Sequence, residues 1–487
     1  MNWSDYIKNT KLIQSGLFID GTWISANRDS FKVDNPATGE IIATMSKANA
    51  SDLDYALLSS ITAFNQWRKV GVKDRSELLL KWYDLIMQNI DDLAIILTLE
   101  QGKSLVEAKN EIIYGANYLK WYSEEAKRVY GYTVPSNNLS QRVIVNKEPV
   151  GVCGAITPWN FPNAMICRKI APALASGCTM IIKPASQTPL SANALAYLAV
   201  IAGIPKGVFN IVHGDSKLIG KFLCDAPEIR KLSFTGSTEV GVELYQNCAT
   251  TMKKLSLELG GNAPFIVFAD ADLDKAASAI IQSKFRNSGQ TCVCSNRIFV
   301  DSTIKLKLID KLKQEMSKLK LGNGLNKDNN LGPLIDARAV DHANKLVADA
   351  QAKGSKVILG GGINDQLGGL FFNPTLVDCI DSKVQMFSEE IFAPILAIYT
   401  FDSDDEAIKL ANQTQYGLAS YFFSKDVRRI YRVAEELQYG IVGVNTGIIS
   451  NEAAPFGGVK MSGLGREGGQ SGIEEYLVEK YICLDLS

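Results

Sequence analysis

Short apolar runs alternate with longer amphipathic stretches along the chain from residue 150 onward. The apolar runs predict four buried strands, at 152–156, 179–182, 208–212 and 231–234. Between the second and third strands, Thr188 followed by Pro189 is typical of a helix N-cap with proline at the first helical position. This alternation predicts a parallel sheet covered by helices on both faces, the doubly wound architecture of nucleotide-binding domains.

The same pattern restarts after Gly261 and predicts a second α/β domain. Its strands are predicted at 264–268 and 297–300, with a helix at 272–283 between them. The fold class is therefore α/β, with a doubly wound domain followed by a second domain of the same class.

Two peripheral segments have a different pattern and predict edge strands. Residues 132–150 alternate around a polar turn at 136–138, which is typical of an extended hairpin, and residues 476–486 also have a strand pattern. Because such strands can extend the sheet of a neighbouring subunit, they predict a small strand-rich oligomerisation arm.

Composition and charge are those of an ordinary globular protein. Hydrophobic residues make up 46% and charged residues 21% of the 487 positions, which excludes disordered and collagen-like chains. The 51 Lys and Arg nearly balance the 52 Asp and Glu, so the chain lacks the basic surplus of nucleic-acid-binding proteins. The most basic stretch, 305–320, has apolar positions at helical spacing and is interpreted as the solvated face of a helix; a nucleic-acid patch is the weaker alternative.

The expected compartment is the cytoplasm. No apolar run reaches the length of about 20 residues that a membrane helix needs, and the first residues lack the apolar core of a signal peptide. Nine scattered cysteines, an odd number, do not suggest a disulfide framework. No second Cys or His cluster accompanies Cys292 and Cys294, so we expect no metal site.

Two glycine patterns match nucleotide-binding motifs in spacing only. The GxGxxG run at 463–468 is followed by 19 residues, too few for the rest of a dinucleotide-binding unit, and is interpreted as a flexible loop. The run 236–241 has phosphate-loop spacing, but Val242 and Glu243 stand where Lys and Ser or Thr are required. It predicts a strand-to-helix turn whose backbone amides can face a pyrophosphate.

Three segments carry candidate chemistry. Cys292 follows a predicted helix and precedes a strand, so it lies on a turn near backbone amides, which suits a thiolate nucleophile; a buried structural cysteine fits about as well. Glu258 ends a strand among apolar residues, where burial raises a carboxyl pKa and suits a general base; the alternative is an acid that faces solvent. The run 158–162 is a proline-bracketed loop at the carboxyl end of a strand, where open α/β sheets bind ligands. With only His213 and His342 in the chain, a carboxylate base is favoured.

Taken together and in this order, these segments resemble the aldehyde dehydrogenase superfamily over essentially the whole chain. The matching runs are Pro158-Trp159-Asn160, Lys183-Pro184-Ala185-Ser186, Phe234-Thr235-Gly236-Ser237, Leu257-Glu258-Leu259-Gly260-Gly261, Gly289-Gln290-Thr291-Cys292 and Glu389-Glu390-Ile391-Phe392. The runs 285–294 and 444–452 are most similar to the bacterial succinate-semialdehyde dehydrogenases within that superfamily.

The resemblance implies a domain division and a covalent mechanism. It implies a cofactor-binding domain, a catalytic domain and an oligomerisation arm, with the ranges 1–131 and 151–258, 259–465, and 132–150 and 466–487. Cys292 would attack the aldehyde, and the Asn160 amide with the Cys292 backbone N–H would stabilise the oxyanion. After hydride transfer to a nicotinamide, Glu258 would activate water to hydrolyse the thioester. The presence of Glu258 argues against the branch that passes the acyl group to coenzyme A.

The resemblance also implies a cofactor site. Lys183 is expected to reach the adenosine ribose, and Ser186 stands where many NAD-preferring relatives have a glutamate. Because a serine tolerates a 2′-phosphate beside Lys183, we expect NADP, with NAD used less efficiently. The remaining residues that the resemblance assigns to the cofactor are Trp159, Gly236, Ser237, Leu259, Glu390 and Phe392.

The substrate expected from the resemblance is succinic semialdehyde, oxidised to succinate. Its remote carboxylate needs a cationic partner, and Arg168 and Arg286 match the subfamily's carboxylate binders, with Ser450 as an added donor. Glutarate semialdehyde or another short ω-carboxy aldehyde fits the same arginines, and a non-catalytic structural or binding relative is a remote alternative. A Cys292–Cys294 redox switch is a further hypothesis, as probable as a space-filling Cys294. A homodimer or homotetramer is expected.

Overall fold

The structure is a computed structural model that describes residues 2–26 and 28–487. The α-helices in this part of the chain are α1 Ala50–Trp67, α2 Val72–Gln88, α3 Ile90–Gln101, α4 Leu105–Glu125, α5 Pro162–Ser176, α6 Leu190–Ala202, α7 Ser216–Asp225, α8 Thr238–Cys248, α9 Leu273–Phe285, α10 Lys305–Met316, α11 Ala337–Ala352, α12 Gln385–Ser388, α13 Asp404–Asn412, α14 Val427–Glu436 and α15 Gly469–Glu474.

The strands follow the same chain order. They are β1 Leu17–Ile19, β2 Thr22–Ile24, β3 Ser30–Asp34, β4 Ile41–Ser46, β5 Tyr132–Val134, β6 Gln141–Pro149, β7 Val152–Ile156, β8 Thr179–Lys183, β9 Phe209–Ile211, β10 Ile229–Thr235, β11 Lys254–Glu258, β12 Ala263–Val267, β13 Ser295–Asp301, β14 Lys356–Leu359, β15 Thr375–Asp378, β16 Ile395–Phe401, β17 Ala419–Phe423, β18 Ile441–Val444, β19 Gly463–Leu464 and β20 Leu477–Asp485.

The first sheet is doubly wound, as the apolar pattern predicts. Its strand order is β19-β11-β10-β7-β8-β9-β1-β2, and the five strands from β11 to β9 run parallel. The chain starts this parallel set at β7 and then builds outward in both directions, so the strand order reverses beside β7. In open α/β sheets such a reversal opens a ligand-binding crevice at the carboxyl ends of the strands.

The second sheet confirms the predicted second α/β unit. Its order is β14-β15-β16-β13-β12-β17-β18, with β14 antiparallel to β15 and the other neighbours parallel. The strand predicted at 264–268 forms as β12, and the one predicted at 297–300 forms as the longer β13. Residues 305–316 of the basic stretch 305–320 form α10, whose buried residues are Leu308, Ile309, Leu312 and Met316, so its charges lie on the outer face.

The arm is a three-stranded sheet. Strands β5 and β6 form the predicted hairpin, and β20 pairs antiparallel with β6 from Leu477 opposite Pro149 to Asp485 opposite Gln141. Several large apolar side chains on these strands are exposed, among them Tyr132, Tyr481 and Leu484.

The first two residues of the glycine run 463–468 form a short strand of the first sheet, where the sequence predicts a flexible loop throughout. Gly463 and Leu464 form β19 and pair with Leu257 and Glu258 of β11. Gly463 has φ +129°, and a Cβ there would collide with the Leu257 carbonyl, so only glycine allows this close approach. The sequence places these residues in the catalytic domain, whereas β19 pairs with the cofactor-binding sheet; the three domain ranges stay a prediction.

The predicted N-cap at Thr188 is wrong. Helix α6 begins at Leu190, and the Thr188 hydroxyl makes no hydrogen bond within the described residues. Instead the Glu100 carboxylate accepts from the backbone N–H of Leu190 at 2.8 Å and of Ser191 at 2.9 Å. The helix start is buried, so a carboxylate from a distant segment satisfies the free N–H groups that a local hydroxyl normally caps.

Candidate active site

The carboxyl edge of the first sheet brings the candidate residues into one row. Across neighbouring strands, Glu258 lies opposite Thr235, Phe234 opposite Ile156, and Ile156 opposite Lys183. A cavity of about 250 Å³ opens at this edge. It is lined by Pro158, Trp159, Asn160, Met165, Thr235, Gly236, Ser237, Glu258, Leu259, Gly260, Cys292, Glu390 and Phe392. The three predicted catalytic residues and most of the predicted cofactor residues therefore meet in one cavity.

Cys292 follows a strained turn. Three successive residues, Asn287, Ser288 and Gly289, have φ values of +51°, +55° and +76°, the left-handed region that non-glycine residues rarely adopt. Cys292 itself is partly exposed, whereas the other cysteine of the run, Cys294, is buried. Burial raises the pKa of the Cys292 thiol to about 12, and the positive charge of Arg168 opposes that rise. Burial therefore favours the thiol of Cys292 over the thiolate that the sequence suggests at this position.

Asn160 is buried, and its side-chain amide is held at both ends. Its Nδ2 donates to the Gln290 carbonyl at 3.0 Å, and its Oδ1 accepts from the Phe161 backbone N–H at 3.1 Å. The bond to Gln290 uses one of the two Nδ2 hydrogens, so the other is available to an oxyanion in the cavity. The same hydrogen bond connects Asn160 to Gln290, two positions before Cys292.

Glu258 is a buried carboxyl, which excludes the solvent-facing alternative. Both of its oxygens are without a hydrogen-bond partner in the described part of the chain. Burial raises the pKa of Glu258 well above its ordinary value, and the nearby Glu467 carboxylate raises it further. Arg168 and Lys169 oppose this rise. The elevated pKa expected from the sequence is therefore present, with a charge network as part of its cause.

The partners of that network, Lys169 and Glu467, are functional candidates that sequence reasoning missed. The Lys169 ammonium lies 2.5 Å from Glu467 and donates to Thr235 at 2.7 Å and to Ser233 at 3.1 Å. Glu467 also forms an ion pair with Arg168 at 2.6 Å. In the sequence, the adjacent cations Arg168 and Lys169 inside an otherwise apolar helix could have indicated Lys169 as a functional candidate. Glu467 lies in the glycine run that the sequence interpretation set aside as a loop.

The cofactor side of the cavity combines aromatic, carboxylate and glycine positions. The Trp159 and Phe392 rings meet edge to face with centroids 5.7 Å apart. Glu390 accepts from the Gly261 backbone N–H at 3.0 Å, and burial raises its pKa to about 7. Ser237 is the N-cap of α8, so the turn at Gly236 presents a helix N-terminus to the cavity. This set fits a nicotinamide dinucleotide, since it offers a carboxylate for ribose hydroxyls and amides for phosphates.

Lys183 and Ser186 lie outside this cavity, at the end of the neighbouring strand β8. The buried Lys183 ammonium donates to the Pro184 carbonyl at 3.3 Å, and burial lowers its pKa to about 8. Ser186 is half-buried in the turn that follows. Because β8 adjoins β7, both residues stand along the same edge of the sheet as the cavity, where an extended dinucleotide would continue.

Cys292 also borders a second void that leads away from the cofactor side. Arg286, Ser450 and Arg168 line it together with Cys292, and it adjoins a larger cavity of about 450 Å³ that Arg286 and Ser450 share. The Arg286 guanidinium lies 4.8 Å from the centroid of the Phe161 ring. The Arg168 guanidinium stacks on Phe456 at 4.1 Å and is already paired with Glu467. Of the two predicted carboxylate binders, Arg168 thus has an anionic partner within the chain.

Cys294 is buried and lines none of these voids. Its sulfur donates to the Lys284 carbonyl at 3.5 Å, and burial raises the pKa of the thiol. The hypothesis of a redox switch with Cys292 stays a prediction. Among the described residues, no group of three or more His, Cys, Asp and Glu side chains is placed to hold a metal ion. No helix in the same part of the chain is long and apolar enough to cross a bilayer.

Comparison with known proteins agrees with this geometry. The profile of the aldehyde dehydrogenase family matches residues 23–482. The chain is 52% identical to a glutarate-semialdehyde dehydrogenase of Pseudomonas aeruginosa over 98% of this chain and 99% of that protein. It is 50% identical to the NADP(+) succinate-semialdehyde dehydrogenase of Escherichia coli over 99% of this chain and 100% of the relative. The crystal structure of a succinate-semialdehyde dehydrogenase from Burkholderia pseudomallei matches with TM-score 0.97 at 50% identity, covering 98% of this chain and 99% of that one.

The chain belongs to the aldehyde dehydrogenase family. The family and the fold that the sequence motifs imply are thereby confirmed.

Proposed function

We propose that this protein oxidises short ω-carboxy aldehydes, with succinic semialdehyde as the principal substrate, to the corresponding acids. The observation that carries the proposal is the position of Cys292. It borders the cavity of about 250 Å³ that also holds Asn160, Glu258 and most of the proposed cofactor residues, and it borders a second void with Arg286 and Ser450. A reacting aldehyde on the sulfur would therefore have a hydride acceptor on one side and an anion-binding group on the other.

The chain's own residues divide the covalent chemistry among them. The Cys292 thiol releases its proton to solvent as Sγ adds to the aldehyde carbon, and the resulting oxyanion accepts from the Asn160 amide and the Cys292 backbone N–H. The nicotinamide dinucleotide, when bound, supplies the hydride acceptor for the oxidation to a thioester. Glu258 then removes a proton from water as that water attacks the thioester carbonyl, and Cys292 leaves with the proton restored. Glu258 has no hydrogen-bond partner among the described residues, so both of its oxygens are available to the water.

Arg286 is the proposed carboxylate anchor, and Ser450 its added donor. The Arg286 side chain is partly exposed to the substrate void and is braced by the Phe161 ring, so its guanidinium can pair with a remote carboxylate. Arg168 is also proposed to attract the same carboxylate. Because Arg168 already pairs with Glu467, its positive charge acts on the whole void rather than as an open fork.

NADP is the proposed cofactor, with NAD used less efficiently. Ser186 carries no charge that would repel a 2′-phosphate, and the Lys183 cation stands nearby on the same edge of the sheet. The residues proposed to hold the dinucleotide are Trp159, Lys183, Ser186, Gly236, Ser237, Leu259, Glu390 and Phe392. The Escherichia coli relative carries NADP(+) in its name, which supports this choice.

Glutarate semialdehyde is the second candidate substrate. The larger cavity of about 450 Å³ continues from Arg286, which leaves room for one more methylene, and the Pseudomonas aeruginosa relative bears that name. A non-catalytic role is disfavoured because Cys292, Glu258 and Asn160 are all retained in one cavity. We further propose that the enzyme works in the cytoplasm as a homodimer or homotetramer joined through the arm.

The test is the rate of NADPH formation with succinic semialdehyde, glutarate semialdehyde and the uncharged propanal. We expect wild-type enzyme to favour the two semialdehydes. Arg286→Ala should raise KM for both of them by about 100-fold, the loss expected for one charge-assisted pair, and leave propanal nearly unchanged. Equal kcat/KM for charged and uncharged aldehydes in the wild type would reject the ω-carboxy assignment.

A further inference from the structure

Two carboxylates, the half-buried Glu107 and the buried Glu111, lie one turn apart at the start of α4, outside the set of residues assigned to the reaction. Both Glu107 and Glu111 face the loops that carry the site. Glu111 accepts from the backbone N–H of Asn163 at 3.0 Å and of Ala164 at 3.3 Å, so it caps the start of α5. Helix α5 directly follows the loop that carries Asn160, so this cap fixes where that loop ends.

Lys103, just before α4, connects Glu111 to Asn160 itself. Its ammonium is fully buried, lies 2.5 Å from Glu111 and donates to the Asn160 backbone carbonyl at 2.8 Å. The same ammonium lies 3.9 Å from the centroid of the Phe161 ring. A buried cation with both an anionic partner and a carbonyl acceptor has little freedom to move, so it holds the Asn160 backbone at a defined position.

Glu107 holds the other loop. It accepts at 2.7 Å from the backbone N–H of Asn287, the first residue of the left-handed turn before Cys292. The Asn287 side chain then donates to the Asn160 carbonyl at 2.9 Å. The Asn160 carbonyl oxygen is thus where the oxyanion loop and the nucleophile turn meet. Residues in such unfavourable backbone conformations stay there only because their surroundings hold them.

We propose that Lys103, Glu107 and Glu111, here called the clamp, are positioning residues that set the separation between the Asn160 amide and Cys292. The inference rests on the proposed function of these two residues. It adds three side chains that also line the cavity of about 450 Å³ and that hold the Asn160 loop and the turn before Cys292 through the contacts described above. The clamp connects both the Asn160 loop and the turn before Cys292 to the start of α4. Loss of the clamp should therefore let the Asn160 amide shift relative to the Cys292 sulfur, while the cofactor cavity keeps its lining residues.

The test compares Glu111→Gln with Glu100→Gln in the full-length enzyme. Glu100 is the matched control, because it is also fully buried and caps a helix by accepting from two backbone N–H groups, but its helix α6 carries none of the assigned site residues. The measurement is the pre-steady-state burst of NADPH, with succinic semialdehyde and with propanal. The burst amplitude counts competent sites, and its rate constant reports the oxidation at each site.

For Glu111→Gln we expect the burst rate constant to fall by about 10- to 100-fold with either aldehyde, with the amplitude and the KM for NADP retained. Glu100→Gln should keep the wild-type rate constant, whatever it does to thermal stability. The double variant Lys103→Met/Glu111→Gln removes both charges together, so no unpaired buried charge opposes folding, and it should show the same slow burst. Lys103→Arg, which retains the cation, should recover a large part of the rate.

Two results would overturn the clamp: an unchanged burst rate constant in both Glu111→Gln and the double variant, or an equal decrease in Glu100→Gln. A loss of amplitude at an unchanged rate constant would identify a purely structural role. Failure of the proposed function gives a different outcome, because wild-type enzyme would then show its burst with propanal but no preference for the semialdehydes.

Discussion

At the level of single residues, burial disfavours the charged forms of the two groups proposed to react, Cys292 and Glu258. Burial raises the pKa of the Cys292 thiol to about 12 and that of Glu258 well above its ordinary value. Each group is proposed to act in its charged form, so the charges around it influence how readily that form arises. Arg168 favours the charged form of both, whereas Glu467 disfavours the charged form of Glu258.

The first prediction concerns Glu467. Despite burial, Lys169 and Arg168 lower the pKa of Glu467, so it is ionised and its negative charge raises the pKa of Glu258. Glu467→Gln removes that charge and leaves both cations in place, so the pKa of Glu258 falls. The acid limb of thioester hydrolysis, measured as steady-state rate against pH, should move to lower pH by about one unit or more.

Glu475→Gln is the control for this shift. Glu475 lies on the same C-terminal segment and pairs with another buried cation, Lys231, at 3.4 Å. Its removal should leave the acid limb where it is. A limb that stays in place in Glu467→Gln, or moves to higher pH, would contradict the assignment of that limb to Glu258.

A second residue-level prediction concerns cofactor choice. Ser186→Glu places a carboxylate beside the expected 2′-phosphate, so we expect the ratio of kcat/KM for NADP over NAD to fall by about 10-fold or more. Gln187→Glu, which adds the same charge one residue further along the turn, is the matched control and should change the ratio much less. If both variants shift the ratio equally, Ser186 has no special role in discrimination.

At the level of elements, the short strand β19 does more than close the edge of the sheet. Its pairing with β11 holds Leu257 and Glu258, and the chain that follows it carries Glu467 back to Lys169. A two-residue strand can do this because Gly463 lets its backbone approach the Leu257 carbonyl more closely than any side chain allows.

Gly463→Ala is therefore expected to damage both stability and catalysis. The added Cβ meets the Leu257 carbonyl, and φ +129° strains any L side chain, so we expect a loss of about 1–3 kcal/mol in the free energy of unfolding. Displacement of β19 should also lower kcat, because the strand is attached to Glu258. Gly362→Ala is the control, since a Cβ there meets nothing within 4 Å. Denaturant unfolding and steady-state kinetics test both effects, and wild-type values for Gly463→Ala would be inconsistent with this function of β19.

At the level of the whole molecule, two sheets contribute opposite walls of one reaction centre. The first sheet supplies Asn160, Gly236 and Glu258 from the ends of its strands, and the segment before β13 of the second sheet supplies Cys292. The cofactor and the aldehyde would thus reach the sulfur from different sides, which separates hydride transfer from carboxylate recognition.

The last prediction concerns the association of subunits through the arm. Tyr481 on β20 is 64% exposed in the single chain, an unusual position for a large aromatic side chain on a sheet. Tyr481→Lys should leave the unfolding transition nearly unchanged but shift the mass measured by light scattering towards the monomer. Leu306→Lys, at a residue 75% exposed on α10, is the control and should not alter the mass. An unchanged oligomer in Tyr481→Lys would argue against an interface at this strand.

Much of the architecture could be predicted from the sequence because it depends on local patterns. Apolar runs of four or five residues predicted β7, β8, β9 and β10. The alternation around 136–138 predicted the hairpin of β5 and β6. Burial of Glu258 was likewise readable, since its neighbours along the chain are apolar. Such features need only the residues adjacent in sequence, whose hydrophobicity and backbone preferences are visible one by one.

Only the tertiary structure decided which distant groups share a charge or a hydrogen bond. The N-cap of α6 comes from Glu100, the partner of Lys169 is Glu467, and Arg168 is paired internally rather than open to solvent. No local pattern encodes these choices, because a buried ion selects its partner by distance and desolvation after the chain has packed. The sequence alone thus determined the fold class and the family and suggested which atoms react, whereas packing decided which charges surround those atoms and what holds them in place.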